Sequence, residues 1–134
     1  MLYPEDRTML VPVTVTMVII DDDPGFRRAA ESMFRSLGVE VVEQAGDGAS
    51  GLDAVRRNRP DWILLDVNLP DMVGIVVART LHDEGCRSSI LLASTGQSLW
   101  DDAELAAVGI HDYVAKDDLF ERAAVGTLLT RQRP

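Results

Sequence analysis

The stretch VTMVIIDDDPGF, residues 15–26, decides how the chain is read. Four apolar residues, 17–20, run directly into Asp21, Asp22 and Asp23 and then a Pro-Gly. A charge cluster at the end of a buried strand is costly, because like charges repel and each loses hydration. What stands opposite the three acids therefore decides what this edge does: water, a basic side chain or a metal ion.

Outward from this stretch, two kinds of segment alternate. Short runs rich in β-branched and other apolar residues occur at 13–20, 39–43, 62–65, 89–93 and 111–115, and each predicts a strand. Helix-length segments lie between and after them. Residues 24–37 place Phe26, Ala30, Met33, Phe34 and Leu37 on one stripe, and Gly38 supplies the stop. A second helix is expected over 49–58 with Leu52 and Val55 facing the core, and a third over 73–83, closed near Gly85. SLWDDAELAAVG predicts a fourth, with Ser98 three residues before Asp101 as a capping start and Gly109 as its end. The fifth is expected over 119–132 with Gly126 in its middle. Strand and helix in strict alternation imply an α/β fold: a parallel sheet covered on both faces.

Size and composition agree with this. The 134 residues suffice for one core, and 46% apolar with 26% charged residues is an ordinary globular balance. Thirteen basic against 22 acidic residues, a formal charge of −9, argue against direct nucleic-acid binding. Cys86 is the one cysteine, so no disulfide framework exists. The uncharged run 9–20 is too short to span a membrane and ends in acids rather than a small-residue cleavage site. A cytoplasmic protein is expected, with residues 1–12 as a poorly ordered N-terminal extension and 13–132 as the domain.

In sheets of this kind ligands bind outside the carboxyl ends of the strands, at a topological switch point. The residues there are Asp21, Asp22 and Asp23, then Asp66, then Ser94 and Thr95, then Lys116. Carboxylates on one edge raise each other's pKa unless a cation joins them, and a hard divalent ion such as Mg²⁺ suits an oxygen-rich set.

These residues carry a family resemblance. IIDDDPGFR, PDWILLDVNLP, ILLAST and HDYVAK, with 44 residues from Asp22 to Asp66 and 22 from Ser94 to Lys116, resemble the receiver domain of bacterial two-component response regulators. The resemblance covers about 13–132. It implies a flavodoxin-like, doubly wound sheet of five parallel strands in the order 2-1-3-4-5, with five helices on two faces. It implies Asp66 as phosphoacceptor, and Mg²⁺ held by Asp21, Asp22, Asp66 and the backbone carbonyl of Asn68. Ser94 and Lys116 would bind the phosphoryl group, and Tyr113 would follow the hydroxyl inward to switch the surface of the fourth helix, fifth strand and fifth helix. Partners implied are a histidine kinase or phosphotransfer protein and a downstream effector protein or domain. The protein would be a signalling switch in a phosphorelay rather than a metabolic enzyme.

Three positions depart from the family pattern. Val73 precedes Gly74 where an acid is usual, Asp117-Asp118 follows Lys116 where proline is usual, and Thr95 is bulkier than the small residue expected there, so it would restrict access to the phosphoryl group. Blander readings stand beside these roles. Asp23 reads as a helix cap next to Pro24. Tyr113 reads equally as a half-buried strand aromatic, Trp100 as a packing residue, and Arg27 and Arg28 as a solvated face where the family binds its phosphodonor. His82 and His111 lack zinc-site spacing. Two other functions remain open: a pseudo-receiver that only binds proteins, and a Mg²⁺-dependent phosphatase of the haloacid-dehalogenase type with Asp21 as nucleophile and Asp23 as acid. The end at Pro134 leaves open a stand-alone receiver or part of a longer regulator, and a homodimer through the switching face, with Trp100 and Phe120 as contacts, is one option.

Overall fold

The computed structural model describes residues 14–96 and 100–124. The elements are β1 (Val15–Ile20), α1 (Pro24–Ser36), β2 (Val39–Ala45), α2 (Gly48–Asn58), β3 (Trp62–Asp66), α3 (Gly74–Asp83), β4 (Ser89–Ser94), α4 (Asp102–Ala107), β5 (Ile110–Ala115) and α5 (Lys116–Ala124). The strands form one parallel sheet in the order β2-β1-β3-β4-β5, as the resemblance implies.

Alternation along the strands sends successive side chains to opposite faces. Met17, Ile19, Leu64, Leu91 and Val114 pack with Ala30 and Phe34 of α1 and Leu119 of α5. Val18, Ile20, Ile63, Leu65 and Leu92 pack with Leu52 and Val55 of α2, Val77 and Leu81 of α3 and Leu105 of α4. Both faces are covered, which is why the central strands read as unbroken apolar runs. Phe34 is fully buried, and a side chain of that size contributes about 2–3 kcal/mol by leaving water.

Several boundaries differ from the expected ones for local reasons. Leu37, expected on the buried stripe of α1, is the C-cap and is exposed, and Gly38 follows with φ +87°. α3 begins at Gly74, with Val73 as an N-cap that supplies no side-chain bond. α4 opens at Asp101, which forms a capping box with Glu104, so Trp100 precedes the helix and packs half-buried against the core instead. α5 begins at Lys116 rather than 119, because Asp117 and Asp118 sit in its first turn, where negative charge meets the positive end of the helix dipole. Ser98, residues 1–12 and the expected helix beyond Ala124 lie outside the described residues.

Candidate functional site

Strand register assembles the site. Ile20 aligns with Leu65, Asp66 with Ala93, and Ser94 with Ala115. Asp21, Asp66, Ser94 and Lys116 therefore arrive at one edge from four different strands. The chain leaves β1 for β2 on one side and crosses to β3 on the other, so this edge is the topological switch point.

Asp21 and Asp66 are buried and Asp22 is exposed. Carboxylate oxygens of the three lie within 4.8 Å of one another. Lys116 enters from the start of α5, its Nζ 2.7 Å from Asp21 Oδ2 and 3.6 Å from Asp66 Oδ1, and 4.5 Å from the centre of the Phe26 ring. Lys116 is thus a large part of what opposes the acids. The opposition is incomplete. Asp21 Oδ2 is buried and accepts no well-aligned hydrogen bond, despite its contact with the ammonium. Burial, and then the charge of Asp21, push the Asp66 carboxyl above its ordinary value, against the pull of Lys116 and the Asn68 backbone N–H. Burial pulls the Lys116 ammonium down, but Asp21 and Asp66 raise it overall.

A crowded set of hard oxygen donors, in which two buried acids share one ammonium, fits a hard divalent cation of the Mg²⁺ kind. Asp23, by contrast, is committed elsewhere: its Oδ1 accepts from the N–H groups of Gly25 and Phe26 at 2.9 and 3.3 Å, capping α1 as expected. The capping bonds give Asp23 a structural role, as against the acid role that the phosphatase alternative assigns it.

Ser94 and Tyr113 meet at a third residue. The Ser94 hydroxyl accepts from the Gly96 N–H at 3.1 Å, and the Tyr113 hydroxyl donates to the Gly96 carbonyl. Gly96 is held from both sides, and Tyr113 is half-buried against the α2–α4 face. Thr95, beside Ser94, is exposed. Phe120, offered as a dimer contact, packs edge-on to Phe26 at 6.0 Å within the chain.

Three residues have a structural importance that the sequence reading missed. Arg27 is half-buried, not on the solvated face: it donates to the Asp21 carbonyl at 2.6 Å and to Gln44 Oε1 at 3.2 Å. Gly74 brings α3 so close to β3 that a Cβ would stand 2.2 Å from the Asp66 carbonyl oxygen. Asp71 accepts from the Gly48 and Ala49 N–H groups at 2.7 and 2.9 Å, and these bonds hold its carboxyl below the ordinary aspartate range. The local signal, Pro70-Asp71 in a loop, announces a turn and nothing about a helix 22 residues earlier.

A cavity of about 550 Å³ lies at the other edge of the sheet, lined by Val55, Arg56, Arg59, Leu81, Cys86 and Arg87 among others. It sits where α2 and α3 end, and basic groups there answer the negative ends of the helix dipoles. The acids of the site are on the opposite edge.

The model for the response regulator receiver domain matches residues 17–124. Among curated proteins, the chain is 35% identical over 124 residues to the response regulator MprA of a Mycobacterium species (strain KMS), covering 90% of this chain and 53% of that protein. It is 34% identical over 102 residues to the nitrate/nitrite response regulator protein NarP of Escherichia coli, covering 75% of this chain and 47% of that one. The chain thus spans about half the length of these relatives. Among solved structures it resembles the chemotaxis protein CheY4 of Vibrio cholerae, with a TM-score of 0.76, 26% identity, and coverage of 89% of this chain and 98% of that one.

Proposed function

This chain belongs to the response regulator receiver domain family, whose members serve two-component signal transduction, and we propose that Asp66 is its phosphoacceptor. The observation that carries the proposal is the convergence of Asp21, Asp22 and Asp66 within 4.8 Å, with Lys116 Nζ reaching both Asp21 and Asp66.

An ionised Asp66 oxygen attacks phosphorus in line, an O–P bond forms, and the bond from phosphorus to the imidazole nitrogen of a phosphohistidine donor breaks. Such a transition state spreads charge over three oxygens and needs fixed cations near them. Lys116 supplies one from this chain. Asp21, Asp22, Asp66 and the Asn68 carbonyl would hold Mg²⁺, which supplies the rest. Asp66 attacks as the carboxylate, and the nearby Lys116 ammonium favours that charged form.

The acyl phosphate adds acceptor oxygens that compete for the Ser94 hydroxyl. Moving that hydroxyl frees the Gly96 amide, and the bond from Tyr113 to the Gly96 carbonyl ties the change to β5. The α4-β5-α5 surface would then change its preference for an effector. Thr95, exposed next to Ser94, would slow the approach of water to a phosphoryl group on Asp66.

The test is intact mass after incubation with Mg²⁺ and a small acyl-phosphate donor. The wild type is expected to gain one phosphoryl group and Asp66→Asn none. No gain in the wild type, with Mg²⁺ binding intact, would favour the pseudo-receiver.

A further inference from the structure

The β3–α3 loop is a small hairpin. Asn68 bridges Val73, the Leu69 N–H donates to the Met72 carbonyl at 3.1 Å, and the Gly74 N–H donates to the Val67 carbonyl. Its tip is Pro70-Asp71, and its base carries Asn68, whose backbone N–H acts on the Asp66 carboxylate. Leu69 is buried, and Met72 lies against Gly48, where an added Cβ would come within 3 Å of the Met72 side chain.

The start of α2 explains what holds the tip. A helix leaves its first N–H groups without intrahelical partners. In α2 the Ser50 N–H goes to Asp47 Oδ1 at 2.7 Å, and the Gly51 N–H makes the first helical bond, to the Asp47 carbonyl. The remaining two, on Gly48 and Ala49, go to the two carboxylate oxygens of Asp71. One residue outside the helix therefore completes its cap and uses both oxygens to do so. Each bond is charge-assisted, and the positive end of the helix dipole favours the carboxylate.

We infer that Asp71 is a positioning residue: by clamping the tip of the β3–α3 hairpin to the start of α2, it fixes the Asn68 backbone that faces Asp66. The inference rests on the reading of Asp66 and Asn68 given above. With Asp71 truncated, the hairpin keeps Leu69 in the core and loses its polar anchor, so the Asn68 peptide samples other orientations.

The experiment compares the full chain with Asp71→Ala and Asp71→Asn. Mg²⁺ alone is titrated by calorimetry, and amide hydrogen exchange at Asn68 and Gly74 is measured on the metal-free protein. Asp71→Ala is expected to weaken Mg²⁺ binding about tenfold, the lower end for residues that support a metal's ligands, and to speed exchange at Asn68 and Gly74. Asp71→Asn, which keeps an acceptor oxygen, is expected to recover much of both. Unchanged Mg²⁺ affinity in Asp71→Ala overturns the inference, whether or not exchange quickens, because an anchor that does not position the Asn68 peptide is only a cap. If the wild type itself takes no Mg²⁺, the preceding reading of the metal ligands falls; the Asn68 exchange then decides the inference, faster exchange supporting it and unchanged exchange overturning it.

Discussion

Both ends of the parallel sheet collect polar groups, and they satisfy them differently. At the amino end, the Asp61 carboxylate accepts from the Thr16 N–H and hydroxyl at 2.9 and 3.3 Å, and the Thr16 hydroxyl accepts the Asp61 N–H at 3.0 Å. The Ser88 hydroxyl donates to the Pro60 carbonyl, and Arg56 pairs with Glu84 at 2.6 Å in the open. At the carboxyl end, two neighbouring acids are buried against a single ammonium, Lys116, and burial with the charge of Asp21 drives the Asp66 pKa up. A fold that closes its polar account so fully at one edge has the means to do so at both. Leaving like charges crowded at the other is a cost that a ligand recovers, and perturbed carboxylates of this kind concentrate at functional sites.

The largest effect is expected where backbone approaches backbone. Gly74→Ala puts a Cβ against the Asp66 carbonyl, which cannot swing away as a side chain could. Overpacking of this kind costs about 2–3 kcal/mol, read from chemical denaturation, and it also displaces the site. A loss within error would mean that the close approach does not constrain the carboxyl edge.

A smaller change of opposite sign is expected from Asp66→Asn in the presence of a chelator. The folded-state pKa of Asp66 lies above its ordinary value of 3.8, so the folded protein binds this proton more tightly than the unfolded chain does. Stability then falls as pH rises from that value through the raised one. The Asn variant should melt higher than the wild type at pH 7, with the gap closing as pH falls toward 3.8. A variant that melts lower at pH 7 would show that Lys116 more than offsets the crowding.

The smallest effect belongs to the amino end. Glu84→Gln removes the partner of Arg56, but both side chains are solvated, and exposed pairs of this kind are screened by salt. No measurable change in melting temperature is expected at 0.15 M salt, a concentration at which screening acts over about 8 Å. A clear drop would erase the contrast between the two edges.

Much of this was legible in the sequence, because the cues are local or periodic. The runs ending in Asp21 and Asp66 announce strands buried on both faces, Asp23-Pro24 announces a cap, and Gly38 a stop. The acids and Lys116 follow once strand ends are aligned. What the sequence hides is contact between distant residues. Asp71 looks like any turn aspartate, Arg27 like any helix-surface arginine, and Phe120 like an exposed aromatic until α5 is laid beside α1. Gly74 looks flexible, whereas the structure shows it to be small. The helix starts at 102 and 116 differ from the expected ones because Asp101 rather than Ser98 caps α4, and because the acids Asp117 and Asp118 fall in the first turn of α5, where no apolar residue announces the helix.

The proposed phosphoacceptor is Asp66 and no other acid of the cluster. This assignment is tested most directly by treating the protein with Mg²⁺ and a small acyl-phosphate donor, then with borohydride, which reduces an acyl phosphate to an alcohol and leaves free carboxylates intact. Peptide mass spectrometry then reads which residue was reduced. The mark is expected on Asp66 alone and is lost in Asp66→Asn. A mark on Asp21, or an undiminished mark in Asp66→Asn, would contradict it.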